Sequence, residues 1–267
     1  MEASVRRHLD LFFHYFVQYA KVRVAYRGDF FIAVTTSILA TILAFGFLIV
    51  LFTRIPRLQD WRFEEVLFIY GFSLVPLGLF NVLSVNLYQF GDQYVIQGKF
   101  DRILLRPVHS LFQVIFEVFR IESLHEVATG VIVVAYCSKK LGLHWSAGNI
   151  ALFLFMSICG AVIYLSIFLL LTSVSFWFED RIGVVPPVYN MIAFGRYPLS
   201  IYNTFIQFLL TWIVPFGFAS FYPSAHFLNR SEFHHFFHLV PVVAVVFFSL
   251  ALIVWHRGEL QYSSTGS

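Results

Sequence analysis

Three long stretches of this sequence carry no charged side chain. They cover residues 30–53, 66–91 and 146–178. At about 1.5 Å of rise per residue, a helix over any of them spans the roughly 30 Å hydrocarbon layer of a bilayer. Because lipid offers no hydrogen-bond partners to the backbone, such segments cross it as helices. The pattern therefore predicts an all-α integral membrane protein.

The composition supports the same fold class. The 267-residue chain is 59% hydrophobic and 12% charged, whereas soluble domains contain about 25% charged residues. A formal net charge of +3 is too small to indicate a nucleic-acid partner. Cys137 and Cys159 both lie in apolar stretches, which favours buried free thiols over a disulfide framework or a metal site.

Three further spans complete a prediction of six transmembrane helices. Residues 197–218 and 236–255 are apolar enough to cross, but the third span is harder to place. Its apolar centre, residues 127–136, is too short alone and has to extend into charged residues on one side or the other. We predict one membrane domain over residues 30–267, without internal repeats or linkers.

Polar segments join the predicted spans. Residues 92–123 form a charged connector, residues 182–196 a broken or interfacial segment with two adjacent prolines, and residues 219–235 a histidine-rich connector. Residues 1–29 mix basic and aromatic side chains, which predicts an amphipathic helix in the headgroup region, with a partly disordered tail as the alternative.

The distribution of basic residues predicts the orientation. If the N-terminus is cytoplasmic, inner segments hold twelve Lys and Arg residues, Arg196 among them, and outer loops hold six. Cytoplasmic loops of membrane proteins carry the excess of positive charge. We therefore expect both termini in the cytoplasm.

The charged connector is the strongest candidate for a protein contact. Its charges alternate in sign around an apolar core, and a short helix of this kind can seat apolar side chains in a partner's groove while its charges set orientation. The alternative is an ordinary positive-inside loop. The spacing of Gly91 and Gly98, with Phe100 where Ser or Thr would bind magnesium, excludes a phosphate-binding loop. Any use of ATP therefore requires another polypeptide.

Residues 98–107, Gly-Lys-Phe-Asp-Arg-Ile-Leu-Leu-Arg-Pro, resemble the signature loop of the ABC-2 type permease family, in its six-span bacterial branch. Further stretches match in order along nearly the whole chain: residues 26–30, 196–202, 215–218, 221–225 and 262–267. Each stretch alone is weak, but their order along the chain makes the resemblance specific.

The resemblance implies a permease subunit of an ABC exporter in the bacterial inner membrane. It implies two ATP-binding partner subunits, which hold ATP and Mg²⁺, and a second permease copy or a paralogue. The chain itself is expected to bind no cofactor and to catalyse no reaction. An external re-entrant element is expected near residues 221–237. The implied ATPase-coupling residues are Gly98, Lys99, Phe100, Asp101, Arg102, Arg106 and Pro107, and the implied gate-helix residues are Tyr26, Arg27 and Asp29.

Two acidic residues at the start of the third span are candidates for a polar transport path. Glu122 and Glu126 are four residues apart and are expected to share a helix face, and ionisable residues inside a membrane often mark such paths. If the helix begins near residue 124, they lie instead in the interface. An intramembrane enzyme that uses these residues, His125 or the histidines before the sixth span also stays open, and a structural membrane protein is a third possibility.

A second cluster of ionisable side chains lies in the connector before the sixth span. Its histidines are interpreted as interfacial side chains rather than zinc ligands, because no cysteine and only one carboxylate lie nearby: His226, His234, His235 and His238. The sequence leaves the transported substrate open.

Overall fold

The computed structural model of the protein describes residues 12–15, 17–19, 21, 27–178 and 183–263, apart from the side chain of Val85. Within these ranges the chain is helical and contains no β-strand, which confirms the all-α prediction. Most of the predicted interfacial helix over residues 1–29 lies outside the described residues.

The α-helices are numbered here in chain order. They are α1 (Arg27–Arg54), α2 (Phe63–Leu83), α3 (Val85–Tyr88), α4 (Lys99–Leu104), α5 (Ser110–Phe116), α6 (Leu124–Leu141), α7 (Ala147–Ser173), α8 (Ser175–Phe178), α9 (Val185–Met191), α10 (Thr204–Phe208), α11 (Phe216–Ala219), α12 (Phe221–Phe227) and α13 (His234–Gln261). Two π-helices, Phe90–Ile96 and Leu209–Ile213, and four 3₁₀ helices, Ile121–Ser123, Ile192–Arg196, Leu199–Ile201 and Ser231–Phe233, lie between them.

Four helical segments of the described chain are long and apolar enough to cross a membrane. They are α1, α2, the continuous segment Ala147–Phe178, and Ser231–Gln261. Helix α6, on the predicted third span, has 18 residues but carries Glu126 in its first turn and two lysines in its last. These charges keep it outside the group of apolar spanning helices.

The predicted fifth span is not one continuous helix. Over residues 197–218 the structure has the short helix α10, the π-helix Leu209–Ile213, and then α11 after a break at Val214 and Pro215. Proline has no N–H to donate to the preceding turn, and its ring disfavours helical geometry at the residue before it. Val214 accordingly has φ −120° and ψ 81°. The prediction of a continuous span here is wrong.

Two other predicted boundaries also differ. Helix α2 ends at Leu83 rather than at residue 91, and the chain continues as α3 and a π-helix. The supposedly polar connector over residues 219–235 begins with α12, in which Phe221, Ser224 and Ala225 have no exposed surface. A polarity count placed this segment outside the bundle, because such a count does not register burial by the other helices.

Helix α2 lies at the centre of the bundle, and glycines let its neighbours approach closely. A Cβ added at Gly130 of α6 would lie 2.6 Å from the carbonyl oxygen of Gly71 in α2. A Cβ added at Gly160 of α7 would lie 2.5 Å from the carbonyl oxygen of Ala219 in α11. Small residues at helix contacts are typical of membrane bundles, because close backbone approach supplies the packing energy.

Helix α1 lies at the periphery of the bundle, and Leu48 is its one buried residue. Its contacts to the bundle include the ring of Phe45 against Tyr70, at 5.1 Å between centroids, and Ser37 Oγ, 3.0 Å from His125 Nε2. Most of its apolar surface is therefore left for lipid or for another protein.

An ion pair joins the first turn of α2 to the segment after α12. Arg230 Nη2 lies 2.8 Å from Glu65 Oε1, and its guanidinium lies 4.5 Å from the centre of the Trp61 ring. Trp61 Nε1 in turn donates to Ser200 Oγ at 2.9 Å. These contacts hold one end of the bundle, where α2 begins.

Candidate functional site

Four of the predicted coupling residues, Lys99, Phe100, Asp101 and Arg102, lie in the short helix α4, and Arg106 and Pro107 follow it. Helix α4 lies at the end of the bundle opposite the loop that contains Trp61. Gly98 precedes it with φ 68°, a left-handed conformation that glycine adopts without steric cost. Phe100 and Ile103 of α4 are buried, at 0% and 3% exposure. The two residues are three apart and so lie on one helix face, toward the bundle.

Phe100 is enclosed by four aromatic rings from three other parts of the chain. Its ring centroid lies 5.5 Å from Phe90, 5.3 Å from Phe176, 6.0 Å from Trp255 and 5.0 Å from Tyr262. All four contacts are edge-to-face, a favourable arrangement of aromatic quadrupoles. We call these five residues the aromatic cluster; it connects α4 to the C-terminal ends of α8 and α13.

Lys99 also faces the protein rather than a partner. Its Nζ lies 3.1 Å from Glu117 Oε2 and 4.5 Å from the centre of the Tyr94 ring. The Tyr94 hydroxyl donates to the same carboxylate at 2.6 Å. Burial and the Glu117 carboxylate raise the pKa of Tyr94 above its usual range, so its hydroxyl stays protonated as a donor.

The C-terminal end of α4 is held by a buried glutamine of α5. Gln113 Nε2 donates to the carbonyl oxygens of Ile103 at 3.2 Å and Val108 at 2.9 Å. Ile103 lies in the last turn of α4, where backbone acceptors run out of helical partners, and Val108 lies in the loop between α4 and α5. These bonds fix the direction in which the loop leaves the helix.

The other residues of the coupling element, which we define as residues 98–107, mostly point away from the bundle. Leu105 is 85% exposed, and Arg102, Arg106 and Pro107 are also exposed. Arg106 Nη1 donates to the hydroxyl of Tyr15 at 3.2 Å. The element thus combines a buried anchor with an exposed surface that is both basic and apolar.

Asp101 lies between the anchor and the exposed surface, close to Tyr262. Burial, followed by the hydrogen-bonding and charge effects of Asp101, raises the pKa of Tyr262 to about 12. The C-terminal end of α13 therefore lies at the same end of the bundle as α4. We call this the coupling end.

The predicted gate-helix residues are only partly described. Tyr26 lies outside the described residues, whereas Arg27 and Asp29 occupy the first turn of α1 and are exposed. Helix α1 thus begins before the predicted domain boundary at residue 30. Their role as a gate stays a prediction.

Glu122 and Glu126 do not share a helix face. Helix α6 begins at Leu124, so Glu122 lies in the preceding 3₁₀ turn and accepts from the Tyr19 hydroxyl at 3.3 Å. Glu126 lies inside the helix and accepts from Asn81 Nδ2 at 2.8 Å. The prediction of one shared face is wrong because the helix starts between the two residues.

Glu126 belongs to a row of polar side chains along α2, which we call the polar row: Tyr70, Asn81, Glu126, Tyr189 and Arg196. Asn81 connects two of them, since its Oδ1 accepts from the Tyr189 hydroxyl at 3.1 Å. Farther along α2, Arg196 Nη1 donates to the Tyr70 hydroxyl at 2.9 Å. The segment from Tyr189 to Arg196 therefore runs antiparallel to α2.

The position of Arg196 corrects the charge count used to predict orientation. Tyr70 is nearer the start of α2 than its end, so Arg196 lies toward the end opposite the coupling end, inside the bundle. It is not one of the charges of an inner loop. Sequence reasoning singled out Glu126 but missed the rest of the polar row, for which Asn81, an amide in an apolar span, was a signal.

The four histidines lie near each other without forming a metal site. The rings of His234 and His238 stack at 5.2 Å, and His226 lies 4.9 Å from His234. Across the described residues, no group of three or more His, Cys, Asp or Glu side chains has a geometry suited to a metal ion. Both cysteines are buried and unpaired.

The sequence model of the family described as ABC-2 family transporter protein matches residues 38–266. The chain belongs to this ABC-2 transporter family. Searches of curated proteins and of solved structures gave no significant match. As a member, this ABC-2 protein is the membrane subunit of an ABC transporter, a transport component rather than a catalyst, and its multi-pass helices fit that role.

Proposed function

We propose that this ABC-2 protein is the permease of an ATP-driven exporter, moved by a separate ATP-binding subunit that docks on α4. In the proposed assembly two such subunits serve two permease chains in a bacterial inner membrane, with both permease termini in the cytoplasm. ATP and Mg²⁺ bind to the partner. The observation that carries the proposal is the enclosure of Phe100 in the aromatic cluster beneath an exposed surface.

Six membrane crossings fit this assembly. Besides the four long apolar helices, α6 and the segment from α9 to Ser200 supply the other two elements, since Tyr189 contacts Asn81 near the end of α2 and Ser200 contacts Trp61 before its start. The segment from α10 to α12 supports a re-entrant arrangement rather than a plain loop, because Ser200 before it and Arg230 after it both contact Trp61 and α12 between them is buried. Irregular backbone is tolerated at membrane depth only where protein surrounds it.

The exposed side of α4 is suited to a protein groove. Leu104 and Leu105 are 42% and 85% exposed and lie between Arg102 and Arg106. An apolar anchor flanked by charges can insert into a groove while the charges set its orientation. A push on this surface is transmitted inward through Phe100, since a packed aromatic contact shifts as a unit rather than deforming.

An ATP-binding partner can drive the permease only if it contacts α4 differently before and after hydrolysis. The aromatic cluster can transmit this change of contact from α4 to the rest of the bundle. It connects α4 to Trp255 in α13, and α13 packs along α7 to the far end of the bundle. We infer that α4, α8 and α13 move together when nucleotide changes the partner's shape.

Replacing Asp101 and Arg102 with Ala is expected to uncouple the partner while leaving membrane insertion intact. A reporter cysteine at Gly148, which is exposed and near the opposite end, is placed in a chain carrying Cys137→Ala and Cys159→Ala. In the purified complex, ATP changes the maleimide labelling rate of this reporter. We expect the double variant to lose at least about 90% of that change, because loss of the docking charges removes the partner's differential contact.

The matched control removes an exposed pair of the same two residue types at the opposite end. Arg57→Ala combined with Asp60→Ala is expected to keep the full ATP response. The single variant Arg102→Ala separates docking from the contact that Asp101 makes with Tyr262. A normal ATP response in the Asp101 and Arg102 double variant contradicts the assigned coupling role.

A further inference from the structure

We propose that Arg196 binds the acidic head group of the transported substrate, which makes the substrate an anionic amphiphile. The proposal rests on the proposed transport function and adds the chemical class of what is moved. It starts from an arginine placed inside the helix bundle, next to the first half of α2.

Arg196 lacks the partner that a buried cation needs. Its Nε is buried and has no hydrogen-bond partner, and no carboxylate of the described residues forms a salt bridge with it. One bond, to the neutral Tyr70 hydroxyl, satisfies part of its guanidinium. A charge inside a membrane bundle is costly and is retained where it faces a partner or a path.

The carboxylate that acts electrostatically on Arg196, that of Glu126, already has a hydrogen-bond partner. Arg196 and Glu126 influence each other electrostatically, but the Glu126 carboxylate accepts from Asn81. Along α2, Tyr70 and Asn81 are separated by eleven residues, or about 16 Å of helix rise. The free donor capacity of Arg196 is therefore available to an external anion.

The polar row has a partly exposed side and a buried side. Glu126, Tyr189 and Arg196 are each partly exposed, whereas Tyr70 and Asn81 behind them are buried. The proposal places the ligand on this partly exposed side of the row, next to Arg196. Arginine donates two parallel hydrogen bonds to a carboxylate or phosphate, which suits it to an acidic head group.

Aromatic rings around Arg196 favour an amphiphile over a free inorganic anion. The Tyr70 ring contacts Phe45 of α1 at 5.1 Å and Tyr197 at 6.4 Å, and the Arg196 guanidinium lies 5.4 Å from the centre of that same Tyr70 ring. A substrate that presents an acid to Arg196 would place its apolar part against the partly exposed rings of Phe45 and Tyr197 and against α1.

The test compares two probes that differ in one charge. Dansyl-undecanoic acid and its methyl ester are titrated against the permease–ATPase complex in phosphatidylcholine nanodiscs, with dansyl fluorescence as the signal. We expect the acid to bind roughly tenfold more tightly than the ester. Arg196→Gln is expected to bring the two affinities together, and Arg196→Lys to keep part of the preference.

Two matched variants separate ligand binding from a structural role. Arg257→Gln removes an exposed arginine of α13 and is expected to keep the acid preference. Tyr70→Phe removes the internal partner of Arg196 but keeps its charge, so it is expected to keep the preference too. If Tyr70→Phe abolishes the preference as fully as Arg196→Gln, then Arg196 acts as a structural tether and the proposal is overturned.

The remaining outcomes distinguish this inference from the transport function. Equal binding of acid and ester by the wild type overturns the inference, whereas the ATP response of the Gly148 reporter still supports the function. An acid preference without any ATP response supports the site and contradicts the function. Displacement of the acid by equimolar inorganic phosphate overturns the amphiphile as the ligand class.

Discussion

Phe100→Ala is expected to abolish the ATP response of the permease and to lower its stability by about 3–5 kcal/mol. The ring is fully buried among Phe90, Phe176, Trp255 and Tyr262. Its removal leaves a cavity that four rigid rings cannot fill by rotation alone. The docking surface of α4 would remain, but its connection to α8 and α13 would be lost.

The measurement combines thermal unfolding of the purified complex with the Gly148 labelling assay. Phe155→Ala, at a position 49% exposed on α7, is the control. It is expected to change neither the unfolding temperature nor the ATP response of the Gly148 reporter. Phe100→Leu restores most of the volume, so it is expected to recover stability but only part of the ATP response. A full ATP response in Phe100→Ala would show that force reaches the bundle by another route.

The coupling element could be predicted from sequence because its signals are local. Alternating charges, a glycine before the helix and a proline after it all lie within residues 98–107. What the sequence could not assign was the direction of each side chain. Lys99 counted as a docking charge, yet it pairs with Glu117, because that partner comes from the segment after α5 and is revealed only by folding.

The long spans were predictable because lipid imposes one rule on every residue within them. The break at Pro215 and the buried α12 were not, since their stability depends on distant partners. Ser220 Oγ, for example, donates to the carbonyl oxygen of Gly195 at 2.6 Å and of Phe216 at 3.1 Å. Such contacts satisfy polar groups that a hydropathy count assigns to water.

Arg196 shows that predictions from charged residues have the same limit. A count of basic residues treats every arginine as lying outside the membrane, and it placed Arg196 in an inner segment. Its hydrogen bond to Tyr70 joins residues 126 positions apart, a separation at which no local pattern carries information. The polar row could therefore be found only after α2 and the segment before α10 had been placed side by side.

Gly160→Ala is expected to destabilise the protein by at least about 1–3 kcal/mol, although it adds a single methyl group. The new Cβ would lie 2.5 Å from the carbonyl oxygen of Ala219 and 2.9 Å from Cβ of Pro76. Neither atom belongs to the far end of a flexible side chain. Helix α7 would have to move away from α11 and α2, which opens the packing around the broken segment.

Gly46→Ala is the matched control, because nothing lies within 4 Å of a Cβ at that position of α1. It is expected to leave the unfolding temperature unchanged or slightly higher, since alanine favours the helix more than glycine does. Thermal unfolding in detergent measures both variants, and the Gly148 reporter measures the ATP response. Because Ala219 precedes α12, we expect Gly160→Ala to weaken the ATP response as well as stability. Equal unfolding temperatures for the two variants would contradict the close contact between α7 and α11.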